Sequence, residues 1–358
     1  MRVTDEINKI RFFLNGGLPS YLIFFVTSQC NARCKMCFNL ENINDYSVRK
    51  KLSIEEINKI SKNLNSISYL TLSGGEPFLR KDLDDICKLF YDNNSTRYIG
   101  IPTNGSLPSI ITKKVEDILI KCPNLNLKIP LSIDALNEEH DKIRNLKGCF
   151  KNLLNTYQKL DVLKKDYNNL EIAVNTTFSS FNQDKIADVI EYVFKNFDIK
   201  SHTLTYVRGE GTNPESNIVS IKNYKKAVNR LEEISHYRGA LKGFILNFNN
   251  SIRYRTREII IQTLEEDRMI IPCVAGDKMA VIDDIGNVFP CEILGKKIGD
   301  LRKHNYNFKM MWNSYNAREI RQFIKDKRCH CTFECAIQNS IAHKITEYPS
   351  IIKRLLDS

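Results

Sequence analysis

The chain has 358 residues, of which 42% are hydrophobic, and it carries a formal net charge of +11. This length supports one large α/β domain with a smaller appendage, and no apolar run approaches the roughly 20 residues of a membrane span. The lysines are scattered, without a basic tail or an aromatic-interleaved basic stripe, so we expect no nucleic-acid partner. The densest basic cluster, Arg253, Arg255 and Arg257, could hold a phosphate or carboxylate, although a plain exposed face is the favoured interpretation.

Eleven cysteines occur in a chain whose first residues include acidic side chains and no small-residue cleavage site. Such an N-terminus does not look like a signal peptide. Without an export signal, many cysteines indicate metal or cluster ligation in a reducing compartment rather than a disulfide scaffold. We therefore expect a cytoplasmic protein with metal-ligating cysteines.

The first predicted strand, Tyr21–Thr27, consists mainly of β-branched and aromatic residues, so we expect both of its faces to be buried. The loop that follows carries Cys30, Cys34 and Cys37 in the spacing C-x3-C-x2-C. Thiolates at this spacing can converge on zinc or on an iron–sulfur cluster. Zinc would need a fourth ligand, whereas a [4Fe–4S] cluster held by three cysteines keeps one iron open for a substrate or cofactor.

Strand and helix patterns then alternate along the chain. The further predicted strands span residues 69–72, 98–102, 127–133, 170–178 and 202–207. The predicted helices lie near residues 53–64, 82–91, 112–121, 150–164 and 184–197. Strand–helix repeats of this kind imply a parallel sheet with right-handed crossovers. We predict an α/β fold, an open (βα)6 partial TIM barrel with a small cysteine-rich C-terminal extension.

Polar residues follow the second and fourth strands, at the end of a barrel where chemistry usually takes place. Gly74 and Gly75 would let the backbone approach a ligand closely, and Glu76 can accept hydrogen bonds from an ammonium group. A tight turn before a helix would account for the same three residues. Ser132 and Asp134 alternate along the fourth strand, so they share one face of it.

Further candidates follow the later strands. Arg144 suits a bidentate grip on a carboxylate, or else a surface ion pair, and Asn175 lies on the fifth strand. Tyr206, Arg208 and Glu210 follow the sixth strand, at the open end of the barrel, where they can select a substrate. A surface loop with one ion pair is the alternative interpretation of these last three residues.

A second group of cysteines lies in the last ninety residues. Residues 279–282 and 288–291 predict a β-hairpin with Gly286 at its turn, and a helix is predicted near 316–327. A zinc site is one interpretation of this group. The cysteines concerned are Cys273, Cys291, Cys329, Cys331 and Cys335.

The first cysteine triplet, on the loop after a first strand, resembles that of the radical SAM superfamily. This resemblance implies a [4Fe–4S] cluster whose open iron binds S-adenosylmethionine (SAM) and reduces it to a 5′-deoxyadenosyl radical. Met36 departs from the family pattern, which usually has an aromatic residue before the third cysteine, so we expect the adenine to pack differently. The candidate SAM-binding residues, by match to family positions or strand placement, are Gly74, Gly75, Glu76, Ser132, Asp134, Arg144 and Asn175.

The pattern from Cys273 to Cys291, with its distal cysteines, resembles the SPASM/twitch extension of radical SAM enzymes, which holds auxiliary iron–sulfur clusters. The shorter, twitch-like form with one auxiliary [4Fe–4S] cluster fits the cysteine count better. The distal spacing C-x-C-x3-C departs from the usual C-x2-C, which leaves the ligands open. We expect Cys335 and one of Cys329 or Cys331 to complete the set, with Cys331 as the spare because Cys329 leaves a wider loop.

The implied division is a lead-in (1–19), the radical SAM barrel (20–215), a helical connection (216–268) and the auxiliary-cluster region (269–358). We expect a C–H-activating oxidoreductase or transferase, reduced by a flavodoxin- or ferredoxin-like partner. Only about twenty residues precede the first strand, too few for a peptide-leader-binding domain, which favours a small sugar- or nucleotide-like substrate. A maturase that modifies a ribosomal peptide or protein is the alternative. A non-catalytic iron–sulfur or zinc protein is the alternative from another class.

Overall fold

The computed structural model describes residues 17–208, 213–239 and 244–356 of the chain. Glu210 and most of the expected lead-in, residues 1–16, lie outside the described residues. In the part of the chain so described, no helix is both long enough and apolar enough to cross a membrane.

The sheet begins with six strands that are followed by helices and ends with three short strands. The strands are β1 Tyr21–Thr27, β2 Tyr69–Gly74, β3 Tyr98–Gly100, β4 Asn126–Ser132, β5 Leu170–Phe178, β6 Ser201–Tyr206, β7 Met279–Ile282, β8 Asn287–Phe289 and β9 Gly299–Asp300. The helices are α1 Leu40–Asn44, α2 Ile54–Lys62, α3 Leu83–Asn93, α4 Pro108–Lys121, α5 Asn137–Arg144, α6 Cys149–Asp166, α7 Ile186–Asn196, α8 Ile221–Gly239, α9 Phe244–Glu266, α10 Phe308–Trp312, α11 Tyr315–Lys325, α12 Glu334–His343 and α13 Tyr348–Leu356.

The strand order is β6-β5-β4-β3-β2-β1-β7-β8-β9, and every pair from β6 to β7 is parallel. The predicted α/β partial barrel of parallel strands is therefore confirmed, and the sheet is open. The C-terminal hairpin adds to this sheet, because Tyr21 of β1 pairs with Met279 of β7. The extension is thus joined to the barrel by backbone hydrogen bonds along β1.

The apolar pattern of β1 explains its central place. All seven of its residues are buried, between β2 on one side and β7 on the other. Phe24 packs edge to face against Phe90 of α3, at 6.2 Å between ring centroids, on the helix-covered face. Tyr21 lies on the opposite face, where it meets Tyr69 at 5.5 Å and shares a hydrogen bond with Thr71 at 3.0 Å. Alternate residues of each strand therefore line the barrel interior.

Most predicted elements are confirmed, with ends that differ by a few residues. The predicted hairpin is present, and Gly286 has a φ of +93° at its turn. Helix α5, which ends at Arg144, was not predicted, because it is short and almost wholly polar. The region named as a helical connection contains the long helices α8 and α9. The division into domains stays a prediction.

Two arginines tie the extension to the barrel segment before and within α2. Arg49 reaches Asp284 through Nε at 2.9 Å and Asp283 through Nη2 at 3.3 Å. Arg302 makes a two-pronged contact with Glu56, at 2.7 Å from Nε and 3.0 Å from Nη2. These contacts join residues more than two hundred positions apart, so they position the second cysteine group relative to the first.

Candidate functional site

The first cysteine group lies in the irregular loop after β1, and Cys30, Cys34 and Cys37 are each partly exposed. The end of α5 supports this loop, because the Lys35 amide donates to the Ile143 carbonyl at 2.9 Å. Within the loop, the Cys37 amide donates to the Cys34 carbonyl at 3.2 Å. The three thiols therefore project from one loop whose backbone is braced by a neighbouring helix.

The two glycines after β2 allow this part of the barrel to pack. A side chain at Gly74, where φ is +119°, would collide with the Thr27 carbonyl, and one at Gly75 would collide with the Gln29 carbonyl. The Gly75 amide also donates to the Thr27 carbonyl at 2.8 Å. Close approach to the start of the cysteine loop therefore requires both glycines.

Glu76 is 1% exposed, and its carboxylate joins two loops. It accepts hydrogen bonds from Thr103 Oγ1 at 2.8 Å, the Asn104 amide at 2.9 Å and the Phe78 amide at 3.3 Å. Burial raises the pKa of Glu76 to about 7, although these bonds act in the opposite direction. In this conformation the Glu76 side chain braces the loop after β3, which in turn contacts the cysteine loop through Asn31.

Arg144 stands between Asp134 and the first cysteine group. Its Nη2 lies 2.5 Å from Asp134 Oδ2, and its Nη1 lies 3.7 Å from Cys34 Sγ. The Asp134 side chain is fully buried and accepts the Thr177 amide at 2.8 Å on its other oxygen. The carboxylate of Asp134 therefore orients Arg144, which brings a positive charge to Cys34.

Burial raises the pKa of all three thiols in this group. It raises the pKa of Cys30 to about 11 and that of Cys37 to about 12. Burial also raises the pKa of Cys34, while the nearby Arg144 guanidinium acts against that rise. Because iron ligation requires thiolates, Arg144 favours the ligand form of Cys34.

Ser132 and Asn175 lie side by side, because the register of β4 and β5 pairs them directly. Both are half-buried, and neither side chain has a hydrogen bond to another described residue. They are on the strand faces that line the barrel interior. Their polar groups are therefore available to a molecule bound there.

The second cysteine group surrounds a cavity of about 210 Å³ beside α12. Four of the five cysteines line it, together with His330 and mainly apolar side chains; the four are Cys273, Cys291, Cys329 and Cys331. Cys335 is not among the lining residues. This is the reverse of the expected arrangement, in which Cys335 was a ligand and Cys331 the spare.

Arg208 is largely buried and pairs with two carboxylates of the extension. Its side chain is 17% exposed, and it forms ion pairs at 3.0 Å with both Glu292 and Glu334. The guanidinium also lies over the rings of Phe333, at 4.3 Å, and Phe38, at 5.5 Å. In this conformation Arg208 links the barrel to the extension, and its role in substrate selection stays a prediction.

Tyr206 also differs from the expectation of a catalytic side chain. Its ring stacks on Phe178 at 6.2 Å and meets Tyr224 edge to face at 5.1 Å. Only its backbone amide reaches the extension, by donating to Glu334 Oε1 at 2.8 Å. The side chain of Tyr206 therefore belongs to an aromatic cluster, and a functional role for it stays a prediction.

Glu292 and Glu334 are functional candidates that sequence reasoning missed. Both side chains are 6% exposed, and burial raises the pKa of each, for Glu334 to about 7. Each carboxylate directly follows or precedes a cysteine of the second group, Cys291 or Cys335. A carboxylate beside a ligand-type cysteine could have marked these two glutamates as site residues. Their pairing with Arg208 could not be predicted, because Arg208 is far away in sequence.

A cluster of three charged side chains, Lys128, Glu171 and Arg253, also lies inside the barrel. Lys128 of β4 donates to Ser201 Oγ at 2.9 Å and lies 3.3 Å from Glu171 Oε1. Arg253 of α9 approaches both Lys128 and Glu171. Burial, and after it the positive charge of Arg253, lowers the pKa of Lys128 to about 8. Of the three arginines in the basic cluster, Arg253 therefore faces the barrel, whereas Arg255 pairs with Glu347.

Two family descriptions match this chain. The Radical SAM superfamily matches residues 24–216, and an iron–sulfur cluster-binding domain, SPASM, matches residues 273–336. The first match spans more than half of the chain and includes the first cysteine group. The chain belongs to the radical SAM superfamily, and its C-terminal part is a SPASM iron–sulfur domain.

Three curated relatives show the range of the family. The AdoMet-dependent heme synthase of Methanosarcina barkeri is 25% identical over 331 residues, 88% of this chain and 89% of that protein. The GTP 3′,8-cyclase of Campylobacter curvus is 28% identical over 190 residues, 52% of this chain and 55% of that protein. The sporulation killing factor maturation protein SkfB of Bacillus subtilis is 27% identical over 184 residues, 50% of this chain and 41% of that protein.

The fold is also similar to solved radical SAM structures. The crystal structure of Streptococcus suis SuiB has a TM-score of 0.60 at 16% identity, over 89% of this chain and 72% of that chain. SuiB has also been solved with bound S-adenosylmethionine. This similarity establishes the architecture, an open α/β barrel with a C-terminal extension.

The donor sets fit the cofactors that the family implies. Cys30, Cys34 and Cys37 can hold a [4Fe–4S] cluster with one open iron for SAM, and the second group offers the four thiolates of a closed auxiliary cluster. Among the described residues, no three histidine, cysteine, aspartate or glutamate side chains converge as they would around a single metal ion. The binding of a [4Fe–4S] cluster with SAM and of an auxiliary iron–sulfur cluster follows from the two family matches, which include these cysteines.

Proposed function

We propose that this chain is a radical SAM oxidoreductase that acts on a small anionic, nucleotide- or sugar-like substrate inside the barrel. One observation carries the proposal: Arg208 touches residues next to both cysteine groups. Phe38, which follows Cys37, lies under its guanidinium, and Glu292, which follows Cys291, pairs with it. Both cysteine groups therefore adjoin one buried region, which suits the removal of a hydrogen atom and an electron from the same substrate.

When bound, SAM on the first cluster supplies a 5′-deoxyadenosyl radical that removes a hydrogen atom, and the auxiliary cluster supplies an electron acceptor. The residues of the chain position and shield these groups. Arg144, oriented by Asp134, keeps a positive charge beside Cys34 and is placed to hold the SAM carboxylate. Glu76 braces the loops around the site. A flavodoxin- or ferredoxin-like protein is the proposed source of the initiating electron.

The charges inside the barrel support an anionic substrate. Lys128 and Arg253 bring two cationic groups to a region with one carboxylate, Glu171. Ser132 lies four residues beyond Lys128 on the same strand face, about 13 Å along the strand. A molecule of nucleotide size can span the distance from Ser132 to Lys128, with its anionic group toward Lys128. The GTP 3′,8-cyclase among the relatives has an anionic nucleotide in its name.

A peptide or protein substrate is the second candidate. SkfB, a maturation protein, is similar over half of this chain. SuiB has been solved with its precursor peptide SuiA, although that similarity concerns the fold. A non-catalytic iron–sulfur protein is the remaining alternative, and it would not cleave SAM.

The test is anaerobic incubation of the reconstituted protein with SAM and dithionite, followed by measurement of 5′-deoxyadenosine. We expect its release even without substrate, and its abolition when Cys30, Cys34 and Cys37 are all replaced by Ala. Cys87→Ala, at a buried position in α3 away from both groups, is the matched control and should leave the release unchanged. Undiminished release from the triple variant would contradict the radical SAM assignment of these cysteines.

Substrate class is tested in the same assay. Two sets of compounds are added separately in deuterated solvent: nucleotides and sugar phosphates in one, and short peptides in the other. Each compound is monitored by mass spectrometry. A small anionic substrate should raise 5′-deoxyadenosine release, and Lys128→Ala should weaken its effect at least tenfold in apparent affinity. Stimulation by peptides alone would favour the maturase alternative.

A further inference from the structure

We propose that Cys273, Cys291, Cys329 and Cys331 hold the auxiliary cluster, whereas Cys335 stays unligated with its thiol toward the barrel interior. This inference rests on the proposed function only in requiring that an auxiliary cluster is present. It reverses the assignment that sequence spacing favoured. Three independent features of the structure support it: a shared cavity, backbone donors to sulfur, and the direction of the α12 side chains.

The shared cavity is much larger than a water site and is lined by four cysteines among apolar side chains. Its volume is about 210 Å³, while a single water needs only about 10–15 Å³ on a comparable measure. The four proposed ligands line this cavity among apolar side chains such as Ile259, Ile271 and Ile337. His330 also lines it, but its Nε2 lies 2.9 Å from Asp267 Oδ1, so the imidazole already has a partner. Thiolates are therefore the natural ligands in this cavity.

Backbone amides donate to the sulfurs of three of the four proposed ligands, Cys273, Cys291 and Cys331. The Ala275 amide donates to Cys273 Sγ at 3.4 Å, and the Leu294 amide donates to Cys291 Sγ at 3.2 Å. The first cysteine group has the same feature, an amide donated to Cys30 Sγ at 3.4 Å. Amide donors of this kind stabilise cluster-bound sulfur and tune the reduction potential of the cluster.

Cys331 shares this pattern, because the Phe333 amide is directed at its sulfur. Cys329 and Cys331 lie in irregular backbone between α11 and α12, both line the cavity, and both thiols interact electrostatically with Cys273. In extended chain, residues two apart point to the same side about 6–7 Å apart. That spacing suits two corners of a cluster, so the unusual C-x-C pair is compatible with ligation by both residues.

The helix geometry directs Cys335 away from the cavity. Ala336, Ile337 and Ser340 form the face of α12 that lines the cavity. At about 100° per residue, Cys335 lies roughly 150° around the helix from the middle of that face. The thiol lies instead beside the Tyr21 hydroxyl at the start of β1.

The surroundings of Cys335 are those of the barrel interior. Arg208 and Glu292 are close to its sulfur, and its influence extends to Tyr69 and Lys128. These residues belong to the proposed substrate region rather than to the cluster cavity. To act as a ligand, Cys335 would have to leave Tyr21 and turn across the first turn of α12.

Single substitutions in the full chain test this assignment. Cys331→Ala, Cys335→Ala and Cys335→Ser are reconstituted anaerobically, and iron, sulfide and Mössbauer spectra are measured. The unaltered chain should bind about eight irons, as two [4Fe–4S] clusters. We expect Cys331→Ala to bind about four irons and both Cys335 variants to keep about eight. Cys122→Ala, at a buried position outside both groups, is the control and should also keep about eight.

Loss of about four irons from both Cys335 variants, or retention of about eight by Cys331→Ala, would overturn the assignment. The EPR signal of the first cluster changes when SAM binds, and we expect every variant to retain this change. Its retention shows that a loss of iron is local and is not caused by a failure to fold. If the unaltered chain binds only about four irons, the auxiliary cluster is absent, and the inference falls with that part of the proposed function.

Discussion

At the residue scale, several side chains with the chemistry of a SAM site are engaged with one another. Asp134 is fully buried against Arg144, and Glu76 is buried against Thr103 and Asn104. A buried carboxylate is stable only when it is paired or hydrogen-bonded. These residues therefore hold one another in place, and Arg144 brings a positive charge to Cys34.

Arg144 is expected to serve both binding and stability. Arg144→Ala should weaken SAM binding about ten- to a hundredfold, the value of a charge-assisted bond of about 1.5–3 kcal/mol. It should also destabilise the chain by about 3–5 kcal/mol, because Asp134 is left buried and unpaired. Calorimetry with SAM and denaturant unfolding measure the two effects.

The double variant Arg144→Ala with Asp134→Asn separates these roles. Neutralising residue 134 removes the unpaired charge, so most of the stability should return while SAM binding stays weak. If SAM affinity returns together with stability, Arg144 has only a structural role.

At the element scale, helix α2 connects the barrel to the extension. Ser53 caps it, and Glu56 closes the capping box by accepting the Ser53 amide at 2.8 Å. The same carboxylate accepts hydrogen bonds from Arg302 and from the Tyr306 hydroxyl, each at 2.7 Å. One side chain at a helix start therefore combines local capping with a long-range ion pair.

The Glu56 contacts should make stability depend on pH. They lower the pKa of Glu56 from 4.5 to about 2, chiefly through Arg302. A depressed pKa contributes stability above pH 4.5 that is lost as pH falls toward 2. Solvent screening reduces the contribution to about 1 kcal/mol. Glu56→Gln should therefore be less stable than the unaltered chain at pH 7, with the difference shrinking below pH 4.5 in denaturant unfolding.

Glu319→Gln, on the exposed face of α11, is the matched control and should show no such pH-dependent difference. A constant difference for Glu56→Gln across this pH range would show that its effect is not electrostatic.

At the scale of the whole molecule, Arg208 joins the two halves. It lies at the end of β6 and pairs with Glu292 and Glu334, which flank the hairpin and α12 of the extension. Two buried carboxylates at this junction would repel each other without the arginine. The same residue contacts Phe38 in the loop of the first cysteine group. Arg208 therefore adds a buried cation to the strand pairing and the arginine contacts that place the two cysteine groups relative to each other.

Arg208→Ala should destabilise the chain by about 3–5 kcal/mol in denaturant unfolding, because it leaves buried charges uncompensated. Arg230→Ala is the matched control: Arg230 also pairs with two glutamates, Glu191 and Glu233, but its side chain is 42% exposed. We expect a much smaller effect for that exposed arginine, because solvent screens its ion pairs. Equal effects of the two substitutions would contradict a special role for the buried junction.

The sequence by itself determined the elements whose signals are local. The apolar run of β1, the cysteines just after it, the strand–helix alternation and the hairpin at Gly286 were all predictable, because each depends on residues a few positions apart. The cofactors were predicted from the resemblance of the two cysteine motifs to those of a known family. Helix α5 escaped prediction because its weak, polar pattern is stabilised by packing rather than by its own residues.

Only the tertiary structure decided how these elements share a site. The pairing of β7 with β1, the contact of Arg208 with Glu292 and the buried pair of Asp134 with Arg144 join segments that sequence spacing does not relate. The distal cysteines illustrate the physical reason most clearly. Spacing alone favoured Cys335 as a ligand, but the direction of a side chain at the start of α12 depends on how that helix packs, and packing turns Cys335 toward Tyr21.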